Sequence, residues 1–157
     1  MIVKKNIFVL RHGHADFNAE SDYQRPLTEK GRKATERASL FMSQKCKKHS
    51  LSIDHCLCSA ALRTQQTAKI VQHQIKFRTS DFSKDLYSTV ASHWLDKISQ
   101  SKAKTLILVG HNPTLSQLVY QTTGHEFYMK PANCAFITLE FAEDGFIYPA
   151  TLEDFHT

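Results

Sequence analysis

The sequence predicts an α/β fold of three layers, in which a mostly parallel central sheet is covered by helices on both faces. Mainly apolar runs such as Ile7–Leu10 and Thr105–Val109 are typical of buried strands, and the segments between such runs repeat apolar residues at helical spacing. Strands that alternate with helices favour right-handed crossovers and parallel pairing. The chain shows no repeat, linker or low-complexity segment, so we expect a single domain over residues 1–157.

The first half of the chain is predicted to form a strand at Ile7–Leu10, a helix from Thr28 to about Cys46 and a short strand at Cys56–Cys58. A second helix from Ser59 to about His73 and a weak strand at Lys76–Arg78 are predicted to follow. In the first helix Ala34, Ala38 and Met42 recur at helical spacing. Ser59 is interpreted as the N-cap of the second helix, because a serine hydroxyl can accept a hydrogen bond from an amide of the first turn.

The second half is predicted to form a helix at Val90–Ile98, a strand at Thr105–Val109 and a helix from Pro113 to about Gly124. Two further strands are predicted at Asn133–Phe141 and Phe146–Tyr148. Asn112 is expected to cap the helix that begins at Pro113, and Gly124 is expected to end it. The sequence "EDG" between the last two strands favours a hairpin.

Composition narrows the classes of partner and compartment. The net charge of +5 suits an anionic partner, but the lysines occur in short runs that are typical of solvated surfaces. We find no nucleic-acid-binding motif, no run of transmembrane length and no secretory signal, so we predict no nucleic-acid or membrane partner and a cytoplasmic location. The chain has too few cysteines for a disulfide scaffold, namely Cys46, Cys56, Cys58 and Cys134. Cys56 and Cys58 lie two apart in an apolar stretch and are expected to be reduced packing residues.

Basic side chains follow three of the predicted strands. Arg11 and His12 come after the first strand, Arg63 lies just beyond the second, and His111 follows the strand that ends near Val109. The carboxyl ends of parallel strands meet at one edge of a sheet, where ligands of such folds bind. We therefore expect two arginines and two histidines to converge at this edge.

Such a cluster predicts a phosphate site. The planar guanidinium group matches phosphate oxygens in a bidentate way, and the helix start at Asn112–Pro113 adds backbone amide groups that can bind an anion. A neutral imidazole is also a competent nucleophile near pH 7, since its ordinary pKa is about 6.5. A histidine in this site could take a phosphoryl group and pass it to water, while the cations offset the charge of the phosphoryl oxygens.

The motifs "RHG", "SAALRT" and "GHNP", in this order and strand context, resemble those of the histidine phosphatase superfamily, also called the phosphoglycerate mutase-like group. With "RPLTEKG" and "GHNPTLSQL" added, the chain is most similar to the small SixA-type phosphohistidine phosphatases. The resemblance implies the phosphoglycerate mutase-like fold and no metal or other cofactor. It implies His12 as nucleophile, Arg11 and Arg63 as phosphate clamps, and His111 as a second donor to the phosphoryl oxygens. We further expect Gly13, Asn112 and Asp22 to contribute to substrate binding.

The middle segment departs from the pattern of the larger family members, which carry a glutamate or aspartate there as proton donor. The corresponding stretch is "DLYSTVA" at Asp85–Ala91, where Asp85 comes early and Ser88 takes the expected place of the acid. An alkoxide leaving group needs a general acid, whereas a phosphohistidine ring can leave as neutral imidazole. The sequence therefore favours a phosphohistidine-containing protein as partner, such as a histidine phosphotransfer domain in signal transduction. Asp22 is kept as a possible substitute carboxylate.

Four other functions are compatible with parts of the sequence. A phosphatase of the same superfamily could act on small phosphomonoesters, and a phosphate-binding module could keep the pocket without turnover. The "HGH" sequence of His12 and His14 could belong to a metal hydrolase, although we find no further ligands at useful spacing. Weak nucleic-acid binding through the lysines is the remaining alternative.

Overall fold

A computed structural model describes residues 1–157. Its strands are β1 (Val3–Arg11), β2 (Ile53–Ser59), β3 (Phe77–Ser83), β4 (Thr105–Gly110), β5 (Cys134–Ala142), β6 (Gly145–Phe146) and β7 (Thr151–His156). Its helices are α1 (Glu29–His49), α2 (Leu62–Gln74), α3 (Ala91–Gln100) and α4 (Thr114–Thr123). Two short 3₁₀ turns occur at Asp22–Gln24 and Lys84–Leu86. The predicted order of strands and helices is thus confirmed as far as β6.

The strands form one sheet in the order β3-β2-β4-β1-β5-β6, and β7 pairs with β5. The first four strands of the chain are mutually parallel, and the last three run antiparallel to their neighbours. The difference follows from the connections, since helices link the first four strands whereas no helix lies between β5 and β7. The expected mostly parallel sheet therefore describes the half of the fold that carries the basic cluster.

Helices cover both faces of the sheet, which confirms the three-layer prediction. Side chains of β1 alternate between the faces: Phe8 and Leu10 pack in one apolar cluster with residues of α1 and α2, while Ile7 and Val9 pack in the other. Trp94 of α3, with no exposed surface, belongs to this second cluster. A strand buried on both faces must be apolar at every position, which explains the run Ile7–Leu10.

The ends of the helices show where the local predictions are right and where they are wrong. Thr28 caps α1 by accepting a hydrogen bond from the Gly31 amide, 3.0 Å away. Gly124 ends α4 in the left-handed conformation, with φ of 80°. The predicted cap at Ser59 is wrong: Ser59 is the last residue of β2, and α2 begins at Leu62 without a side-chain cap.

The start of α4 is shifted by one residue from the prediction. The helix begins at Thr114 rather than at Pro113. Asn112 nevertheless acts as a cap for this turn, because its Oδ1 accepts from the Ser116 amide at 3.2 Å and from the Ser116 hydroxyl at 3.0 Å.

The C-terminal segment forms β7, which the sequence did not predict. Residues of Thr151–His156 pair with β5 from Cys134 to Thr138, with one irregularity after Phe136. This edge strand is partly exposed and polar at several positions, so it lacks the apolar run that marks the central strands. None of the helices combines the length and the apolar character needed to cross a bilayer.

Candidate active site

The register of the sheet brings the predicted basic cluster to one edge. Val109 of β4 pairs with Leu10 of β1 on one side and with Cys58 of β2 on the other. The three strands therefore end at the same level, and the residues that follow them emerge together. The rings of His12 and His111 lie 5.3 Å apart between centroids.

His12 is held in one tautomer. Its Nδ1 lies 2.7 Å from the carbonyl oxygen of Gly13. Because a carbonyl oxygen can only accept, Nδ1 carries the proton and Nε2 keeps its lone pair. The Nε–H of Arg63 points to that Nε2 at 3.4 Å. In the absence of substrate, the Nε2 lone pair thus accepts this hydrogen bond from the guanidinium group that would hold a phosphoryl group.

The surroundings of His12 keep its imidazole neutral. The side chain is 6% exposed. Burial, followed by the nearby His111, Arg63 and Arg11, lowers the pKa of His12 to about 3, although the Gly13 carbonyl opposes the shift. A neutral ring is the nucleophilic form, so His12 is ready to react across the whole physiological pH range.

These shifts predict how stability depends on pH. The pKa of His12 is about 3 and that of His111 about 4, in both cases mainly because of burial, whereas an unfolded histidine titrates near 6.5. Between these values the unfolded chain binds more protons, so the free energy of unfolding decreases as the pH falls from about 6.5. Urea unfolding at pH 7 and pH 4.5 should show a smaller decrease for His12→Gln than for the original chain. Equal decreases would contradict the assignment.

Arg63 is fixed by Asp22. The guanidinium donates from Nη1 to the Asp22 carbonyl oxygen at 2.7 Å and from Nη2 to Oδ2 of the carboxylate at 3.0 Å. Asp22 lies in the 3₁₀ turn before α1, and Arg25 also pairs with its carboxylate at 3.1 Å. This bidentate contact sets the plane of the Arg63 group and turns its Nε toward His12.

The contacts of Asp22 favour a positioning role over proton donation. The Tyr87 hydroxyl donates to Oδ2 of Asp22 at 2.5 Å. This bond, together with those from Arg25 and Arg63, holds the pKa of Asp22 well below its usual range, so the group is a carboxylate at neutral pH. A carboxylate cannot protonate a leaving group, and its charge repels a phosphate. Asp22 would therefore serve substrate binding through Arg63.

His111 is oriented by Ser59, a contact that the sequence reasoning missed. The Ser59 Oγ lies 2.8 Å from His111 Nε2 and already accepts from the Ala61 amide at 3.4 Å, so we infer that its hydroxyl donates to that nitrogen. His111 then carries its proton on Nδ1, which is buried and has no partner within the chain. Arg11 Nε is the other buried side-chain nitrogen without a hydrogen-bond partner. The cluster thus holds two N–H donors that a phosphoryl group could satisfy.

Removing the Ser59 hydroxyl tests this orientation. Ser59→Ala should shift His111 away from the Nδ1–H tautomer and lower kcat by about tenfold, the factor that corresponds to one hydrogen bond of about 1.4 kcal/mol. Long-range ¹H–¹⁵N spectra of the imidazole report the tautomer directly. Ser59→Thr, which keeps a hydroxyl, is the control. An unchanged tautomer in Ser59→Ala would remove Ser59 from the account.

Gly13 and Asn112 support the site through the backbone in this structure. The Gly13 amide donates to Thr67 Oγ1 at 3.1 Å, and a Cβ at position 13 would lie 2.7 Å from the Gly31 carbonyl oxygen. The close approach of α1 therefore requires glycine here. Asn112 Nδ2 donates to the Met129 carbonyl oxygen at 2.7 Å, which also accepts from Arg11 Nη1 at 2.9 Å. Asn112 thus helps to place Arg11.

Some of the amide groups at the start of α4 already donate hydrogen bonds within the chain. The Leu115 amide donates to the His111 carbonyl at 3.0 Å, and the Ser116 amide donates to Asn112. Fewer free N–H groups therefore remain at this helix start than the sequence suggested, and the side chains provide most of the positive field.

The middle segment contributes a tyrosine where an acid was sought. The Tyr87 ring contacts His111 edge-on at 5.5 Å between centroids, and the Arg63 guanidinium lies 5.9 Å from its centre. The hydrogen bond to Asp22 raises the pKa of Tyr87. Asp85 instead binds Ser83, His93 and Lys97, and the Ser83 hydroxyl, first among these contacts, lowers its pKa to about 2.

The second histidine of "HGH" belongs to a different environment. His14 Nδ1 lies 3.0 Å from the hydroxyl of Thr28, the α1 cap, and His14 lines a cavity that does not include His12. No group of three or more histidine, cysteine, aspartate or glutamate side chains is arranged to hold a metal ion. The four cysteines are unpaired thiols, three of them buried.

Known proteins resemble this chain in sequence and in fold. Residues 7–87 match the family model of the histidine phosphatase superfamily (branch 1). An uncharacterized protein from Picosynechococcus sp. is 30% identical over 138 residues, which cover 80% of each chain. The protein histidine phosphatase SixA, solved in complex with tungstate, superposes with a TM-score of 0.79 at 23% identity, over 97% of this chain and 96% of that one. The alpha-ribazole phosphatase from Shigella flexneri matches with a TM-score of 0.68 at 15% identity, over 97% and 96%. The two structural matches show a shared fold.

Proposed function

Since the chain belongs to the histidine phosphatase superfamily, we propose that it removes the phosphoryl group from phosphohistidine in a protein. The observation that carries the proposal is the Nε2 lone pair of His12, which faces the Arg63 Nε–H at 3.4 Å inside a cluster of cations. His12 Nε2 attacks phosphorus, and the P–N bond of the substrate breaks with its electron pair on the leaving imidazole. Water then attacks the phosphorus of phospho-His12, which releases inorganic phosphate and restores the neutral ring.

The surrounding groups stabilise the charge of the transferred phosphoryl group. Arg63 offers the guanidinium hydrogens that Asp22 leaves free, and Arg11 Nε and His111 Nδ1–H offer the two donors without partners. These donors are held before the substrate arrives, by Asp22, Met129 and Ser59 respectively. Donors fixed in a buried site stabilise a transition state without a reorganisation cost.

The protonation states of nearby acids favour phosphohistidine over an alcohol phosphate. Asp22 and Asp85 have lowered pKa values and are ionised, while the Tyr87 phenol has a raised pKa and is a weak acid. None of the three is a good proton donor to an alkoxide at neutral pH. An imidazole that carries its proton on the other nitrogen needs no such donor, because it leaves as a neutral molecule.

Exposed apolar side chains flank the site and favour a protein substrate. Phe17 is 80% exposed and packs on Arg25, the partner of Asp22, with the guanidinium 4.0 Å from its ring centre. Tyr128 is 66% exposed and lies beside Arg11, with its hydroxyl 3.5 Å from Nη1. Aromatic residues are enriched in protein–protein contact surfaces. A histidine phosphotransfer domain of a cytoplasmic signalling pathway has the required chemistry.

The structural relatives support this proposal and one alternative. The SixA structure holds tungstate, a tetrahedral oxoanion like phosphate, and is a protein histidine phosphatase. The alpha-ribazole phosphatase shares the fold as well, so the alternative is a phosphatase for small phosphomonoesters. The two functions differ in the leaving group and not in the phosphoryl pocket.

A comparison of leaving groups tests the proposal. Initial rates are measured with a phosphorylated histidine phosphotransfer protein and with an alkyl phosphate, each with and without a chelator. We expect the phosphohistidine substrate to react faster by at least about a hundredfold, the contribution that a general acid usually makes. The rate should not change with chelator and should fall with vanadate. A faster alkyl phosphate would support the phosphomonoesterase, and phosphopeptide binding without release of phosphate would support a binding module.

A further inference from the structure

A cavity that we call the basic cavity lies next to the segment that carries His12. Its volume is about 270 Å³, and its basic lining residues are His14, Lys30, Arg37, Lys130 and His156. The remaining lining residues are small or polar, and no aspartate or glutamate side chain is among them. Neither His12 nor Arg63 lines this cavity, so it is separate from the phosphoryl pocket.

The fold builds the basic cavity from four separate segments. Lys30 and Arg37 are seven residues apart in α1, two helical turns on the same face. His14 follows β1, Lys130 precedes β5, and His156 ends β7. Contacts between segments so far apart in the chain make the cavity a product of the tertiary structure and not of one basic run.

One wall of the basic cavity is joined to the backbone of the catalytic segment. The Ala132 amide donates to the carbonyl oxygens of Arg11 and His12, at 3.1 and 3.0 Å. The Asn133 carbonyl accepts from the Arg11 amide at 3.1 Å. Ala132 and Asn133 both line the cavity and are buried. The cavity therefore has a fixed floor shared with β1.

The cations of the basic cavity are not paired with side-chain carboxylates. None of the ion pairs in the structure includes Lys30, Arg37 or Lys130. The acid that affects His156 is Asp154, and Asp154 already pairs with Lys45. Like charges around a concave surface focus a positive potential, which an anionic ligand would relieve.

We propose that the basic cavity binds a small, multiply charged phosphate compound. Its volume lies just below the usual range for small-molecule sites, which fits a diphosphate-sized ligand better than a nucleotide. Lys30, Arg37 and Lys130 supply three cations, and His14 Nε2 adds a further polar group, since Thr28 occupies only Nδ1. The site is independent of catalysis and would remain if the proposed phosphohistidine activity were wrong.

The test is an NMR titration of ¹⁵N-labelled protein with methylenediphosphonate, a diphosphate analogue that cannot be hydrolysed. The salt concentration is held at about 0.15 M, so that long-range attraction is screened. The Ala34 amide reports on the basic cavity, and the Gly110 amide reports on the phosphoryl pocket. We expect saturable shifts at Ala34, with a binding curve different from that at Gly110.

Two double variants with the same change in charge separate specific binding from general attraction. Lys30→Gln/Arg37→Gln should raise the Kd at Ala34 by at least about tenfold and leave the Gly110 curve unchanged. Lys33→Gln/Lys47→Gln, which removes two exposed cations of α1 outside the cavity, should change neither curve. Equal weakening in both double variants would overturn the proposal. It would also be overturned if the Ala34 shifts followed the Gly110 curve and disappeared in Arg63→Ala.

Discussion

Replacing His12 with glutamine is expected to lower phosphatase turnover by at least about a thousandfold, because the chain loses its proposed nucleophile. Glutamine can still donate to the Gly13 carbonyl that holds the His12 ring, so it occupies the site without the imidazole lone pair. His111, the other histidine of the cluster, is not expected to take over, since its Nδ1 carries the proton and its Nε2 is turned toward Ser59. Steady-state kinetics with the phosphohistidine protein measures the loss.

The control for this variant is a histidine outside the site. His73→Gln changes an exposed residue of α2 and should leave turnover unchanged. Circular dichroism and urea unfolding show whether His12→Gln keeps its fold. A folded His12→Gln protein that retains more than a few per cent of the original turnover would mean that His12 does not carry the phosphoryl group.

Arg63→Lys is expected to lower kcat/KM by about 100- to 1,000-fold, comparable to the loss of a donor that stabilises transition-state charge. A lysine keeps the positive charge, but its single ammonium group cannot bind the carbonyl oxygen and the Oδ2 atom of Asp22 and also direct a donor at His12. The result thus distinguishes the shape of the guanidinium group from its charge. The pKa of Asp22 should rise as well, because Arg63 contributes to its depression.

Arg25→Lys is the matched control, since Arg25 pairs with the same Asp22 carboxylate but has no contact with His12. This pair is partly exposed, and exposed ion pairs contribute little, so kcat/KM should change only slightly. If Arg25→Lys and Arg63→Lys had equal effects, the importance of Arg63 would lie in the Asp22 turn and not in phosphate binding.

The convergence of the basic residues is predictable from the sequence because it depends on strand order and buried apolar runs. Ile7–Leu10 and Thr105–Val109 are apolar at nearly every position, since both strands are covered on two faces. Once such strands are parallel neighbours, the residues after Leu10, Cys58 and Val109 must meet at one edge. This rule places His12, Arg63 and His111 without any knowledge of side-chain contacts.

The contacts that orient the cluster are not predictable in the same way, because they join residues distant in the chain. Ser59 looks like a helix cap, but residues 60 and 61 make the turn into α2 and leave its hydroxyl free for His111. Asp22 looks like a spare acid until its bonds to Tyr87 and Arg63 show that it is ionised. A sequence shows which residues could bond and not which of them the fold brings within 3 Å.

The edge strand β7 was missed for a different reason. Its alternation of exposed and half-buried residues is weak, and its position is set by pairing with β5 and not by its own apolar content. The basic cavity depends on this strand through His156 and so could not be predicted either.

The central claim is that His12 Nε2 takes the phosphoryl group from the substrate. The most direct measurement is to mix the protein with ³²P-labelled phosphohistidine protein, stop the reaction within milliseconds in alkaline denaturant, and locate the label by mass spectrometry. The account predicts one labelled position, the Nε2 atom of His12, with a bond that is stable in alkali and labile in acid. Label on another residue of the enzyme would contradict it. So would full release of phosphate in a single turnover during which the enzyme never carries label.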